Sequence, residues 1–178
     1  KVLLVDLDPQ GSATEWSETR DSDDDFPVVR MGTKVPKDLP RVSGGYDFVV
    51  LDGAPQISEL AAPAVKAADA VLIPCQPSPF DIYSCATLVE LIQARQEVTD
   101  GRPKAAFVVS RVIKNTHLSR EVREALAEYE LPIFEAHTTQ RVAYADCAKG
   151  GSVMDLAEND KARQEIEALG REAMEFIQ

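Results

Sequence analysis

Four short runs of uninterrupted apolar residues constrain this chain most: VLLV at 2–5, FVVL at 48–51, AVLIP at 70–74 and AAFVV at 105–109. Each has strand length, and none alternates apolar with polar side chains. A strand with two apolar faces is covered on both sides, as in a parallel sheet wrapped by helices. The stretches between the runs are long enough for crossover helices. The periodicity predicts helices over 12–20, 57–68, 81–98 and 119–129, with Ile82, Cys85, Val89 and Ile92 forming one face of the third. A last helix starts at Asn159 or Asp160 and carries the stripe Ile166, Leu169, Ala173 and Phe176. Shorter strands are expected at 28–31 and 132–136, with a turn of helix at 37–43. Strand–helix alternation of this kind gives a doubly wound α/β fold, a mostly parallel sheet flanked by helices. Neither a linker nor a repeat divides residues 1–178, which read as a single domain.

The length of 178 residues suits one sizeable core. No apolar run approaches the ~20 residues of a membrane span, so no membrane partner is expected. Cys75, Cys85 and Cys147 are odd in number and show neither CxxC nor zinc spacing, which predicts reduced core thiols in a cytoplasmic protein. The net charge of −11 argues against binding nucleic acid through whole-molecule charge. Charge is unevenly spread, however. From 102 to 123, six basic residues (Arg102, Lys104, Arg111, Lys114, Arg120, Arg123) face one acid, Glu121. Such a stripe, doubled in a dimer, could hold DNA phosphates without reading bases; a solvated helix face is the alternative.

Doubly wound sheets place their sites at the carboxyl ends of the strands. That rule brings Asp6, Asp8, Asp52, residues 74–79 and Arg111 to one edge. Carboxylates at adjacent strand ends suit Mg²⁺, which needs only one or two acids when a phosphate and waters complete its shell. Two site types fit. A phosphoacceptor signalling domain would use a VVLD strand, but it also needs a Lys after a later strand. Here that strand runs into Ser110-Arg111-Val112-Ile113-Lys114. A phosphate-cleaving NTPase would use Asp52 for a water of the Mg²⁺ shell and another acid to orient the attacking water. The bland alternatives are a solvated Asp52 and an Asp8 that caps the helix after Gly11.

At this point the residues resemble a family. VDLDPQGSATEW at 5–16 is similar to the second nucleotide motif of the ParA-type DNA-partition ATPases, deviant-Walker P-loop proteins that also include the MinD-type division regulators. Phe48 to Ala54 resembles their Walker B strand, 70–79 the strand that follows it, and 138–144 a segment near the nucleotide and dimer interface. The match spans the chain and favours the small ParF-like branch. The resemblance implies ATP and Mg²⁺ as cofactors, Asp8 as the catalytic group positioning water and lying near the metal, and Asp52 as a water-mediated metal contact. It further implies Asp6, Arg111 and Gln140 at the nucleotide, although many relatives carry Pro where Gln140 stands.

The same resemblance implies a glycine-rich loop of KGGxGKT type, whose N–H groups cradle phosphates. No such loop occurs in the 178 residues; Lys149-Gly150-Gly151-Ser152 is not followed by GK[ST]. The chain also opens on Lys1, inside a strand. The expectation is therefore a further βα unit ahead of Lys1, or a sheet completed by strand exchange with a second copy. The implied function is ATP-dependent segregation of plasmid or chromosomal DNA. It would proceed through a nucleotide-bound homodimer on non-specific DNA in the cytoplasm, at the nucleoid, with a centromere-binding adaptor protein as partner. A non-catalytic interaction domain built on the same fold is the alternative.

Overall fold

The computed structural model describes residues 1–20, 26–53, 59–114 and 116–178, apart from the side chains of residues 119 and 120. The acidic stretch 21–25, residues 54–58 and the side chain of Arg120 lie outside the described residues. The chain forms two compact units, Lys1–Ala68 and Asp69–Gln178.

The first unit is a three-stranded parallel sheet in the order β2-β1-β3, with β1 at Val2–Asp6, β2 at Val28–Arg30 and β3 at Phe48–Asp52. Leu3, Val5, Leu7 and Val35 form its buried core, with Val49, Leu51 and Leu39 packed against them. Helix α1 is Ser12–Glu18, α2 is Val35–Val42 and α3 is Ala61–Ala67. Helix α2 starts two residues before the expected 37 and holds Pro36 in its first turn. Proline is tolerated there because that N–H has no intrahelical partner, and the earlier start buries Val35 completely. Strand β3 departs from the expected two-sided burial. Val49 and Leu51 face the core, whereas Phe48 is 38% and Val50 50% exposed. Among the described residues, β3 pairs only with β1.

The second unit holds β4 (Ala70–Cys75) parallel to β5 (Lys104–Val109), in register from Ala70 opposite Lys104 to Cys75 opposite Val109. Helix α4 (Pro79–Glu97) buries Cys85, Val89 and Ile92, three of the four residues of its expected stripe. Helix α7 (Lys161–Ile177) is capped by Asp160, whose carboxylate accepts the Ala162 N–H at 2.7 Å. Its Leu169, Ala173 and Phe176 pack on Ala106, Val108 and Phe134. Helix α5 is Leu118–Ala127, α6 is Val142–Cys147, and a 3-10 turn covers Val153–Asp155.

The strand expected at 132–136 does not form. One bridge, Phe107 to Ile133, is all that remains of it. The Glu172 carboxylate accepts the N–H groups of Glu135 at 2.8 Å and Ala136 at 2.7 Å, and the second is the donor that a longer ladder would need after the Phe134 N–H, which donates to Phe107 O. Helix α6, absent from the sequence reading, buries no residue and has no side-chain cap, so it carries no apolar stripe to betray it.

Candidate functional site

In the first unit the sheet itself assembles the acids. Asp6 closes β1, opposite Asp52 of β3 on one side and Arg30 of β2 on the other. Neighbouring strands lie about 4.8 Å apart, and register partners in a parallel pair point to the same face. The ladder continues past the strand ends, with the Leu7 N–H donating to Asp52 O at 2.9 Å and the Met31 N–H to Asp6 O at 3.1 Å.

Asp6 is 1% exposed, and both its oxygens are occupied. One accepts the N–H of Thr14 at 2.9 Å and its hydroxyl at 2.7 Å; the other accepts the Asp8 N–H at 3.1 Å. Thr14 lies in the first turn of α1, where backbone donors lack intrahelical partners. The capping role that the bland reading gave Asp8 thus falls to Asp6. Asp8 is half-buried, and one of its oxygens accepts the Gln10 N–H at 2.9 Å, closing the turn that leads into the helix. Asp52 is exposed. Partial burial raises its pKa above the ordinary carboxylate value, and the Asp6 and Asp8 carboxylates raise it further. Asp6, Asp8 and Asp52 are therefore close enough to feel one another. None has a cationic partner within ion-pair distance among the described residues.

Sequence reading missed Arg30, although the same strand-end rule places it beside Asp6. Its guanidinium donates to Pro9 O at 2.8 Å and lies over Gly11. A Cβ on Gly11 would sit 2.9 Å from Arg30 Cζ, and φ there is +74°. Glycine at this position meets both demands, the left-handed turn and the close approach.

This donor set fits a divalent cation held through water. Oxygen ligands are present, Asp52 is exposed, and negative charge accumulates without a counter-ion. It does not fit a dry cage: among the described residues no group of three or more His, Cys, Asp or Glu side chains could enclose a metal alone. Mg²⁺ characteristically keeps several waters, so the two facts agree. A phosphate cradle is a different matter, since the 178 residues hold no GK[ST] loop.

In the second unit, Arg111 follows β5 in a left-handed conformation (φ 55°), uncommon for a non-glycine residue. Its N–H donates to Thr138 Oγ1 at 3.1 Å and its Nε to Gln140 Oε1 at 2.9 Å, which brings these two expected site residues together. The 139–144 segment is pinned by Glu165, a residue that sequence reading did not single out. Its carboxylate accepts the N–H and hydroxyl of Thr139 (2.9 and 2.7 Å), the Arg141 guanidinium (2.8 Å) and the Tyr144 hydroxyl (2.8 Å). Burial alone would raise this carboxyl, but the bonds from Arg141, Thr139 and Tyr144 outweigh it and hold the pKa at about 2. An open depression of about 580 Å³ lies beside the segment, with Gln140, Arg141 and Lys161 in its wall.

The basic cluster is divided by β5. Arg102 and Lys104 sit at the strand's amino end, Arg111 and Lys114 beyond its carboxyl end. Several members have internal partners. Arg102 pairs with Asp69 at 3.9 Å, and Lys104 Nζ donates to Phe176 O at 2.9 Å, compensating the carbonyl end of α7. Arg123 donates to Phe134 O at 2.7 Å. No described helix is long and apolar enough to cross a membrane.

Comparison with known proteins converges on one family. A family model described as an AAA domain matches residues 30–102. The maintenance of carboxysome distribution protein A of Gloeobacter kilaueensis is 31% identical over 178 residues, covering 99% of this chain and 80% of that protein. The chromosome-partitioning ATPase Soj of Thermus thermophilus is 25% identical over 214 residues, covering 100% and 85%. Among solved structures, apo McdA of Cyanothece superposes with a TM-score of 0.77 at 15% identity, over 97% of this chain and 87% of that one. MinD of Aquifex aeolicus gives 0.73 at 20% identity, over 98% and 84%. With an α/β fold of parallel strands and flanking helices, acids in register at the strand ends, and a relative 31% identical over 99% of this chain and 80% of its own length, the chain belongs to the ParA-type family of P-loop ATPases.

Proposed function

We propose that residues 1–178 are one ParA-like nucleotide-binding domain of an Mg²⁺-dependent ATPase that segregates a cargo in the cytoplasm by nucleotide-driven dimerisation on non-specific DNA. One observation supports this reading: Asp6 and Asp52 end neighbouring strands with Asp8 just beyond, their charges act on Asp52, and none of the three has a cationic side chain within ion-pair distance among the described residues. Such an arrangement costs stability unless a cation is part of the working state.

In this reading Asp52 holds the metal through water. Asp8, whose backbone N–H is fixed by Asp6, positions the attacking water and lies near the metal. Asp6 acts by holding the turn and the start of α1 in place. Arg111 and Gln140, already joined, contact the nucleotide. The bound Mg²⁺ would neutralise charge developing on the phosphate oxygens. DNA contact is assigned to the basic residues Arg102, Lys104, Lys114, Arg120 and Arg123, and an adaptor protein stimulates turnover. Plasmid or chromosomal DNA is the cargo by analogy with the partition proteins. A second reading, a protein assembly as cargo, is favoured by the carboxysome-distribution relatives, at 31% and 27% identity over nearly all of this chain.

The test is ATP hydrolysis by the protein expressed from its complete reading frame, with and without Mg²⁺, beside Asp8→Asn and Asp52→Asn. The reading requires metal-dependent turnover, lowered at least tenfold by Asp8→Asn, and a weaker apparent Mg²⁺ affinity in Asp52→Asn. Turnover indifferent to the metal, or unaffected by both substitutions, refutes it.

A further inference from the structure

Arg30 ends β2 in register with Asp6, and its side chain is exposed. Among the described residues its guanidinium forms no ion pair with Asp6, Asp8 or Asp52. It goes to backbone instead. Nη2 donates to Pro9 O at 2.8 Å. A Cβ built on Gly11 would meet Arg30 Cζ at 2.9 Å, Nη1 at 3.0 Å and Nη2 at 3.1 Å. Three near-equal distances mean that the guanidinium plane lies flat against Gly11. One side chain therefore grips the backbone on both sides of Gln10.

Residues 8–11 form the turn between β1 and α1. The turn is bonded from within: the Gln10 N–H donates to the Asp8 carboxylate and the Gly11 N–H to Asp8 O, each at 2.9 Å, and the Asp8 N–H donates to Asp6 at 3.1 Å. Pro9 has no N–H, so its carbonyl is the one backbone group by which residue 9 can be tethered. Arg30 takes it. Among the described residues, Arg30 is the one side chain from beyond residue 14 that is hydrogen-bonded to this turn.

We propose that Arg30 is a positioning residue for phosphate cleavage: it clamps the Pro9–Gly11 backbone from outside and so fixes Asp8 where, in the ATPase reading on which this role rests, it orients the attacking water. The Gln10 N–H occupies one Asp8 oxygen, so the aim of the other is set by the backbone of the turn. A turn free to move carries that oxygen with it, and a displacement of about 1 Å can cost up to about 10²-fold in rate. Arg30 contacts backbone and not the acids, so its loss leaves their hydrogen bonds in place. The effect then falls on kcat and not on the KM for ATP. Lysine at this position offers a donor to Pro9 O but no plane to lie on Gly11, and restores the clamp in part.

The experiment uses the protein from its complete reading frame and has two readouts. In steady-state ATP hydrolysis with Mg²⁺, Arg30→Ala should lower kcat about tenfold with KM within about twofold, and Arg30→Lys should fall between it and wild type. Gly11→Ala, which drives the guanidinium off, should also lower kcat, and by less when residue 30 is already alanine. Without nucleotide or metal, amide exchange at Gln10 and Gly11 should be at least about fivefold faster in Arg30→Ala, with β1 unchanged. An Arg30→Ala kcat within twofold of an active wild type, or a loss carried by KM, overturns the positioning role and leaves the ATPase reading standing. Wild type without Mg²⁺-dependent turnover overturns that reading and the catalytic role with it. Unchanged exchange at Gln10 and Gly11 overturns the clamp itself, whatever the turnover.

Discussion

Replacing Glu165 with alanine should be among the most damaging single changes in the second unit, and its cost follows from the contacts. The carboxylate is 16% exposed and serves four donors on the 139–144 segment: the Thr139 N–H, the Thr139 hydroxyl, Arg141 and Tyr144. Its pKa lies at about 2, against an ordinary 4.5. At about 1.4 kcal/mol per unit, that displacement corresponds to a ceiling of about 3 kcal/mol at neutral pH. Alanine also strands the buried Thr139 N–H, at a cost of about 1–3 kcal/mol, while some of the loss is recovered by water reaching Arg141. A net loss of about 3 kcal/mol translates to a melting temperature lower by about 6–12 °C for a chain of this size. Because the folded-state pKa is depressed, the stabilisation is complete above the ordinary glutamate range and is lost as the pH falls from about 4.5 towards 2. The charge-dependent part should be about 2 kcal/mol smaller at pH 3 than at pH 7. Thermal and urea unfolding of wild type, Glu165→Gln and Glu165→Ala across that range measures this, with the glutamine variant isolating the charge. An alanine variant melting within about 2 °C of wild type at pH 7, or a wild-type-to-glutamine gap that does not shrink on acidification, would refute the reasoning.

Two further outcomes concern the acidic edge. Asp52→Asn should stabilise the protein at neutral pH by about 0.5–1 kcal/mol, the order of a solvent-screened Coulomb repulsion on an exposed carboxylate. The Asp52 pKa is raised, so wild type loses stability as the pH climbs through the interval above the ordinary carboxylate value; the gain should vanish in acid, and millimolar Mg²⁺ should raise the melting temperature of wild type but not of the variant. Asp6→Ala leaves the Thr14 and Asp8 N–H groups without their acceptor and should cost about 2–4 kcal/mol, read as a lowered urea midpoint with loss of α1 protection in hydrogen exchange.

The legible part of this molecule is the part set by hydrophobic pattern. The runs at 48–51, 70–74 and 105–109 became strands close to their expected bounds, and Cys85, Val89 and Ile92 fell on the buried face of α4. The strand-end rule likewise anticipated Asp6 and Asp52 side by side. What stayed hidden depends on side chains distant in sequence. Nothing local announces that Glu172 will take the donors of residues 135 and 136 and prevent a strand there. Nor does the spacing of acids along α7 distinguish Glu165, whose importance comes from Thr139, Arg141 and Tyr144 arriving from another segment. Arg30 was within reach, because it ends a strand beside Asp6, but a lone arginine after two valines carries no spacing signal.

The outward face of β3 has a practical consequence. Phe48 and Val50 stand clear of the core on a strand that, among the described residues, shares its hydrogen bonds with β1 alone. An extended oily surface beside unpaired backbone donors and acceptors is a template on which like strands stack. Phe48 and Val50 share that outward face with Asp52, and a charged residue at position 48, farther from the acids than position 50, is the economical means of keeping concentrated solutions clear.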